Sequence, residues 1–419
     1  MSAGPHSPGP AVRVCMLTYS YHPEAAGGAE RQCRLQALAL ARLGHECLVL
    51  TTRRHPATPR REWDHGCEVI RFRTLEAWLS RFRPPAREPV SAPEQPGGAS
   101  VSSAAKGLAS RAARAVRGLN ALFFMLGAGA VLFRRRGQID VLHVHGADWH
   151  AGFAGWIGHR LSIPVVCKGA NVPVFPPLAG IPFARRLEAW RRRVRYIALT
   201  PAMRDDLMAH GVPGGSIDII PNGVEIPAAG PGTSSESVVL HVANYTQPAW
   251  NKAFDVLFGA WPRVIRECPE ARLVSAGAGD VSAWKRQLAE AGCADPVDFI
   301  GYRPDLEAWF RRAAVFVLPS RHEGISNALL EAQGFGLPAV VSDIPGNRAV
   351  VVDGETGLVV PAGDAEALAR ALVQLLSNPE LRRRLGAAAR RRTAAEFGIE
   401  AVARKLSAVL GRLAAEAKS

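Results

Sequence analysis

The 419-residue chain is predicted to be an α/β protein built from two doubly wound, mainly parallel sheets. Three observations predict it. Short runs rich in Val, Ile and Leu alternate with helical patterns along nearly the whole chain, as buried strands of a parallel sheet do. The alternation breaks at Pro227–Ser237 (PAAGPGTSSES) and restarts at Val238. The length suits two or three domains at roughly 100–200 residues each. Two such domains facing across a linker create a cleft at the carboxyl ends of their strands, where ligands of this architecture bind.

In chain order, Val12–Thr18 and Glu46–Thr52 are strand candidates, and between them Leu35, Leu38, Ala39, Arg42 and Leu43 recur at helical spacing before Gly44. That is a βαβ unit, whose parallel strands require a crossover of this length. Further strands are expected at Cys67–Arg73, Ile139–His145, Pro164–Lys168, Tyr196–Thr200 and Ile217–Pro221. Pro84–Ser103 carries no periodic apolar pattern and reads as a mobile loop within the first domain. After the break, strands are expected at Val238–Ala243, Ala271–Ala276, Val297–Tyr302, Val315–Pro319, Pro338–Ser342 and Gly357–Val360, with the clearest helix at Ala365–Leu376. The expected domains are therefore 11–226 and 238–392, with 393–419 a helix packing back on the first.

Composition narrows the class. With 48% hydrophobic and 21% charged residues the chain is globular, neither disordered nor fibrous. The seven cysteines are odd in number, dispersed and without a Cys-x-x-Cys pair, so they are expected to be small buried hydrophobes rather than a disulfide framework or thiolate site. Met1–Pro10 lacks the pattern of a secretory signal, and a cytosolic location is expected. The longest apolar run, Gly118–Phe133, is 16 residues and contains Asn120, short of the ~20 that a membrane span requires. A net charge of +14 points to acidic partners. Arginines concentrate in the first half, at Arg111, Arg114, Arg117, Arg134–Arg136 and Arg185–Arg195. They fit a solvated helix face and an anionic-surface binder equally. Without interleaved aromatics or a reading motif, they do not indicate nucleic acid.

Two strand-to-helix turns carry the chemistry. Gly27-Gly28-Ala29-Glu30 follows the first strand, and its glycines and helix-start amides suit an anion. Alone, an ordinary glycine turn accounts for it as well. The stronger constellation is Ser320 to Ala332 (SRHEGISNALLEA), in which Glu323 lies in the turn and Glu331 eight residues on in the helix. Between them the amides of Gly324, Ile325, Ser326 and Asn327 have no partner one turn back and can bind an anion or a sugar hydroxyl. One carboxylate can grip a sugar and the other a ribose; alternatively, Glu331 is a buried helix residue and Glu323 a helix-start charge.

With this Glu-x7-Glu element the chain resembles the retaining glycosyltransferases of the GT-B fold, family 4 (glycosyl transferases group 1). The resemblance extends to the Gly27 loop, Asp140-Val-Leu-His-Val-His145-Gly146, Ile220-Pro-Asn-Gly-Val224, Lys252 and Asp353–Val360. It implies that Glu331 binds the ribose of a nucleotide-sugar, that Glu323 and the amides after it hold hydroxyls of the transferred sugar, and that Lys252 neutralises the diphosphate. His145, at a strand end, would touch the donor sugar, whereas His143 on the same face is read as a core residue. Gly27 and Gly28 would let the acceptor domain close over the diphosphate. No metal is implied, since no Asp-x-Asp motif is present and Lys252 supplies a cation. Asn244, a donor-side position, stands where the family usually has arginine, the loop Tyr245–Asn251 is longer, and Ala349 replaces a common acidic residue.

The implied activity is transfer of a hexose-type sugar, with retention, from a nucleoside diphosphate sugar to a carbohydrate or lipid-linked acceptor in cell-envelope or polysaccharide synthesis. Uridine diphosphate sugars are preferred over guanosine ones. The Gly118–Phe133 helix and the arginine groups suit a peripheral protein on an anionic membrane; a helix packing only on its own sheet is the alternative. A sugar-nucleotide epimerase, a glycoside phosphorylase and a non-catalytic anion-binding protein are the other functions weighed.

Overall fold

The computed structural model describes residues 11–24, 27–75, 77, 103–172, 174–228, 236–245 and 249–419, and of 103–111 the backbone only. The expected mobile loop, apart from Ser103, lies outside the described residues. The chain divides into two units, the first comprising Met1–Ala198, Asp205–Asp218 and Arg404–Ser419, the second Leu199–Arg204 and Ile219–Ala403.

The central apolar runs become strands buried on both faces, which only a sheet covered by helices permits, while the strands Arg61–Asp64, Ile217–Ile219 and Val297–Gly301 are partly exposed. In the first unit the strands are β1 (Arg13–Leu17), β2 (Glu46–Arg53), β3 (Arg61–Asp64), β4 (Cys67–Arg73), β5 (Val141–His145), β6 (Val165–Lys168), β7 (Arg195–Ala198) and β8 (Ile217–Ile219). Their order is β3-β4-β2-β1-β5-β6-β7-β8. Strands β1, β2 and β4 to β7 run parallel, while β3 pairs antiparallel with β4 at the edge. The helix Gly28–Arg42 covers one face and places Gln32, Cys33, Gln36, Ala37 and Leu40 inward.

The 16-residue apolar run proves to be part of a longer helix, Ser103–Arg134. Its portion Ala112–Arg134 is, by length and composition, long and apolar enough to cross a membrane. One face of it nevertheless packs into its own unit. Phe124, Ala128 and Leu132 are fully buried, and the Phe124 ring meets Phe72 and Trp149 edge-on at 5.6 and 5.5 Å. Asn120 is buried there because its Oδ1 accepts from the Leu75 amide at 2.6 Å.

The second unit holds β9 (Val238–Val242), β10 (Arg272–Ala276), β11 (Val297–Gly301), β12 (Val315–Leu318), β13 (Ala339–Ser342) and β14 (Gly357–Val360). Their order is β11-β10-β9-β12-β13-β14, all parallel. The helix Phe254–Glu267 buries Phe254, Leu257, Phe258, Trp261 and Val264 at helical spacing, and these pack with the helix Ala365–Leu376 into the core. The last helices are Pro379–Glu396 and Ile399–Glu416. Within the first unit Ser407 meets His45 at 2.7 Å, and Arg412 and Lys418 pair with Asp218 and Asp140 at 2.8 and 3.2 Å. All seven cysteines are free and buried, as expected of small hydrophobes.

Candidate functional site

In a doubly wound sheet, the loops leaving two adjacent strands diverge at the point where the strand order reverses, and ligands bind in the opening. In the second unit this point lies between β9 and β12, in the first between β1 and β5. The residues expected from the sequence fall on the strand ends, loops and helix starts at these two points, with Glu331 inside the helix Asn327–Gly334.

In the second unit, the loop after β9 ends in a 3-10 turn, Ala249–Lys252, and Ala253 at φ 52° redirects the chain into the helix Phe254–Glu267. The loop after β12 runs from Pro319 to the helix Asn327–Gly334, whose N-cap Ser326 accepts from the Leu329 amide at 3.4 Å. The amides of Arg321 and His322 donate to the Asn251 carbonyl at 2.8 and 3.4 Å, joining the two loops. Arg321 is committed to Asp255 in a two-bond pair at 2.6 and 2.7 Å and lies over the Trp250 ring.

This stitching brings Lys252 to Glu323: its Nζ donates to Oε1 at 2.5 Å, and the Ser320 hydroxyl donates to the same oxygen at 3.1 Å. The Glu323 side chain is 9% exposed and that of Lys252 32% exposed, so the pair is only partly screened by water. Behind it, Ser342 Oγ donates to the Ser320 carbonyl and Asn347 Nδ2 to the Ser342 carbonyl, the latter at 3.0 Å. Gly346 is required at this point, because a Cβ would sit 1.8 Å from the Gly324 carbonyl oxygen. Gly324 and Ile325 are buried, while Ser326, Asn327 and Glu331 are half-buried. Asn222 fixes the helix start by donating to the Ile325 carbonyl and to Asn327 Oδ1, both at 3.1 Å.

Asn244, where the family usually has arginine, accepts at its Oδ1 from the Ala278 amide at 3.0 Å, tying the loop after β9 to the glycine turn after β10. Next to it, His241 and Tyr245 share the buried Ser275 hydroxyl, and burial followed by the Lys252 charge lowers His241 to about 3.

In the first unit, Gly27 is the N-cap of the helix Gly28–Arg42 and offers its first turn no side-chain acceptor. Glu30 in that turn accepts from the Ser20 hydroxyl at 3.4 Å. His145 ends β5 at 6% exposure, with its ring 4.5 Å from that of His143, which is fully buried. Burial lowers His143 to about 3, and burial, with Lys168 close by and His143 whenever it is protonated, holds His145 well below the ordinary imidazole range. Both rings are therefore neutral at pH 7. Their buried nitrogens His143 Nδ1 and Nε2 and His145 Nε2 have no hydrogen-bond partner among the described residues.

Sequence inspection missed Ser320, Ser342 and Asn347 as supports of Glu323, and Lys168 beside His145. For Lys168 a signal exists, a lysine closing an otherwise apolar strand. The other three are polar residues at strand ends, with nothing local to distinguish them. Among the described residues no group of three or more His, Cys, Asp or Glu could hold a metal ion.

Comparison with known proteins agrees with this fold. Over its length the structure matches a sucrose-phosphate synthase from Thermosynechococcus elongatus (TM-score 0.70, 21% identity, 97% of this chain and 100% of that one). It also matches Anabaena HepE in complex with UDP-glucose (TM-score 0.67, 15% identity, 96% and 99%). The fold is thus the GT-B arrangement of two Rossmann-like domains. Residues 236–378 match the family model described as glycosyl transferases group 1, and residues 27–223 that of the glycosyl transferase 4-like domain. A phosphatidyl-myo-inositol mannosyltransferase of Mycobacterium leprae is 31% identical over 263 residues, 60% of this chain and 68% of that protein. A lipopolysaccharide core biosynthesis mannosyltransferase of Rhizobium leguminosarum bv. viciae is 37% identical over 135 residues, 32% of this chain and 38% of that protein. The chain belongs to glycosyltransferase family 4. It spans less than two thirds of the length of the latter relative.

Proposed function

We propose that this protein transfers a hexose-type sugar from a nucleoside diphosphate sugar to an acceptor hydroxyl, with retention of anomeric configuration and without a metal. The observation that carries this reading is the Lys252–Glu323 pair at the β9/β12 reversal, beside the start of the helix Asn327–Gly334. As the donor binds, the Lys252 ammonium exchanges the carboxylate for the diphosphate. Glu323 and the amides of Gly324 to Asn327 are then left to hold sugar hydroxyls. Glu331, further along the same helix, takes the ribose. In the first unit, the neutral ring of His145 and the Gly27–Gly28 turn are the candidate contacts to a donor.

Negative charge develops on the leaving diphosphate as the bond to the anomeric carbon breaks, and a fixed cation lowers that barrier. The acceptor oxygen attacks from the face the diphosphate leaves, and its proton passes to a phosphate oxygen, so nucleoside diphosphate departs and the anomer is kept. The UDP-glucose bound by HepE supports a uridine donor. The lipid and lipopolysaccharide acceptors named for two relatives support an envelope acceptor.

A surface feature supports action on a membrane. On the helix Ser103–Arg134, Leu119, Phe123, Leu126 and Phe133 are 42 to 63% exposed and recur every three, four or seven residues, forming an outer apolar stripe opposite the packed face. The helix contains no acidic residue, and Arg114, Arg117 and Arg134 are exposed. An apolar stripe flanked by cations suits a helix lying in an anionic interface.

The deciding experiment is a thermal-shift screen of nucleotides and nucleotide-sugars, since a ligand at 100 times its dissociation constant adds ~2.7 kcal/mol of apparent stability. A shift with one nucleoside diphosphate sugar, followed by NMR of the product anomer, supports the reading. No shift with any donor, or an inverted linkage, ends it.

A further inference from the structure

Two exposed aromatic side chains stand beside the Lys252–Glu323 pair, one on each of the loops that carry it. Trp250, two residues before Lys252, is 59% exposed, and His322, directly before Glu323, is exposed as well. Their ring centroids are 5.2 Å apart, with the planes tilted by 41°. A single surface aromatic is ordinary, since much of any folded surface is apolar. These two differ because their loops are joined at the Asn251 carbonyl, which accepts from the Arg321 and His322 amides.

Trp250 is also fixed in place. Its carbonyl accepts from the Ala253 amide and from Arg321 Nη1, both at 3.2 Å. The Arg321 guanidinium, itself held by Asp255, lies 5.3 Å from the centre of the indole. An aromatic surface positioned before its ligand arrives loses little freedom when the ligand binds. Yet the indole stays open to water, although covering a ring of its size is favourable. It does so where the loops leave β9 and β12, at the carboxyl edge of the second unit's sheet. Apolar surface with a few polar groups around it is the composition of a ligand subsite.

A pyranose ring suits this surface. One face of a hexose chair presents C–H groups whose slightly positive hydrogens meet the negative face of an indole. The hydroxyls at its rim need polar partners, and the ring nitrogens of His322 stand next to the indole. On the function proposed above, the ribose goes to Glu331, so the sugar end of the substrate is the part left beside Glu323 and the two aromatics.

We propose that Trp250, flanked by His322, is a carbohydrate platform of the second unit, on which a pyranose ring packs. The source of that ring rests on the function proposed above: it is the hexose of the donor or the sugar of a carbohydrate acceptor, and the packing is the same. The test compares the full chain with its Trp250→Ala and Trp250→Phe variants. Titrations with UDP and UDP-glucose, and with GDP and GDP-mannose, separate the hexose from the nucleotide. Saturation-transfer NMR of a mixture of methyl α-mannoside, methyl β-glucoside and methyl β-galactoside, added to the nucleotide-saturated proteins, reads a sugar that belongs to no donor. If the donor supplies the ring, Trp250→Ala weakens the nucleotide-sugar about fivefold or more and leaves the bare nucleotide unchanged. If the acceptor does, nucleotide and nucleotide-sugar bind as to the parent, and saturation of a glycoside falls several-fold. In either case Trp250→Phe, which keeps a ring, retains most of the binding.

A folded Trp250→Ala protein that binds nucleotide-sugars and glycosides as the parent does overturns the proposal. Weaker binding of the bare nucleotide overturns it equally, by putting the base on the indole. Trp250→Gln replaces the alanine variant in both arms should the latter not fold. A parent that binds none of these nucleotides refutes the donor reading alone, since the glycoside arm, run without nucleotide, still decides the platform.

Discussion

Glu323 has two donors on one carboxylate oxygen, the Lys252 ammonium and the Ser320 hydroxyl, and this fixes what its replacement does. Glu323→Gln keeps the size but gives up the charge that holds Lys252. Lys252→Met leaves Glu323 with one donor and removes the cation from the leaving group. Each is expected to lower turnover at least ~100-fold, about 3 kcal/mol of transition-state stabilisation. The double variant should lose little more than the worse single one, because the residues act as a unit. Losses that multiply would show the two acting separately. Asn244 makes a contrasting prediction. Asn244→Ala leaves the Ala278 amide without its acceptor and should cost about 1 kcal/mol of stability. Denaturant melts read that loss directly, and a variant as stable as the parent would show that the bond does not hold the loop. The Glu323–Glu331 spacing was legible because both lie on one local turn and helix. The Lys252–Glu323 pair was not, because it joins loops 71 positions apart through the Asn251 carbonyl.

Elements were legible to the extent that burial writes itself into composition. Strands β4 and β14 were expected at their observed limits because both are dense in buried apolar residues or end at clear turns. Strand β3 was missed: Arg61–Asp64 is an edge strand of sequence REWD, and an edge needs no continuous apolar run. The arginine-rich helix was foreshortened for the opposite reason. Its first half is alanine and arginine, good helix formers that leave no apolar period to follow. The same helix carries the membrane prediction. Phe123→Glu with Leu126→Glu reverses both the apolarity and the charge of the outer stripe without touching the packed Phe124, Ala128 and Leu132. Co-sedimentation with vesicles rich in phosphatidylglycerol should be strong for the parent at low salt and reduced several-fold by either 0.5 M salt or the double substitution. Equal sedimentation of parent and variant would place any membrane contact elsewhere.

At the scale of the whole molecule, the buried bases make stability depend on pH in one direction. His45, His143, His145 and His241 are all lowered, chiefly by burial, so the folded chain holds fewer protons than the unfolded chain below about pH 6.5. Their contribution is complete above that pH and is lost as pH falls toward the folded values, about 3 for His143 and His241. His45 couples this loss to architecture: its Nδ1 accepts from the Val12 amide at 3.0 Å, and its Nε2 meets Ser407 on the last helix. Protonation of Nδ1 removes the acceptor of the Val12 amide and leaves that donor unsatisfied, while Nε2 still donates to Ser407. Lys168 extends the trend upward, because its folded value of about 7 lies below the ordinary 10.5, and stability continues to rise as pH climbs above 7. Denaturant midpoints measured from pH 4 to 7.5, below the range in which unfolded cysteines ionise, should therefore increase throughout. Lys168→Met should flatten the segment above pH 7 and leave the acid limb unchanged. His45→Gln, which can still accept from Val12, should shallow the acid limb alone. A parent whose midpoint falls between pH 7 and 7.5 would mean that Lys168 is solvated in the folded protein.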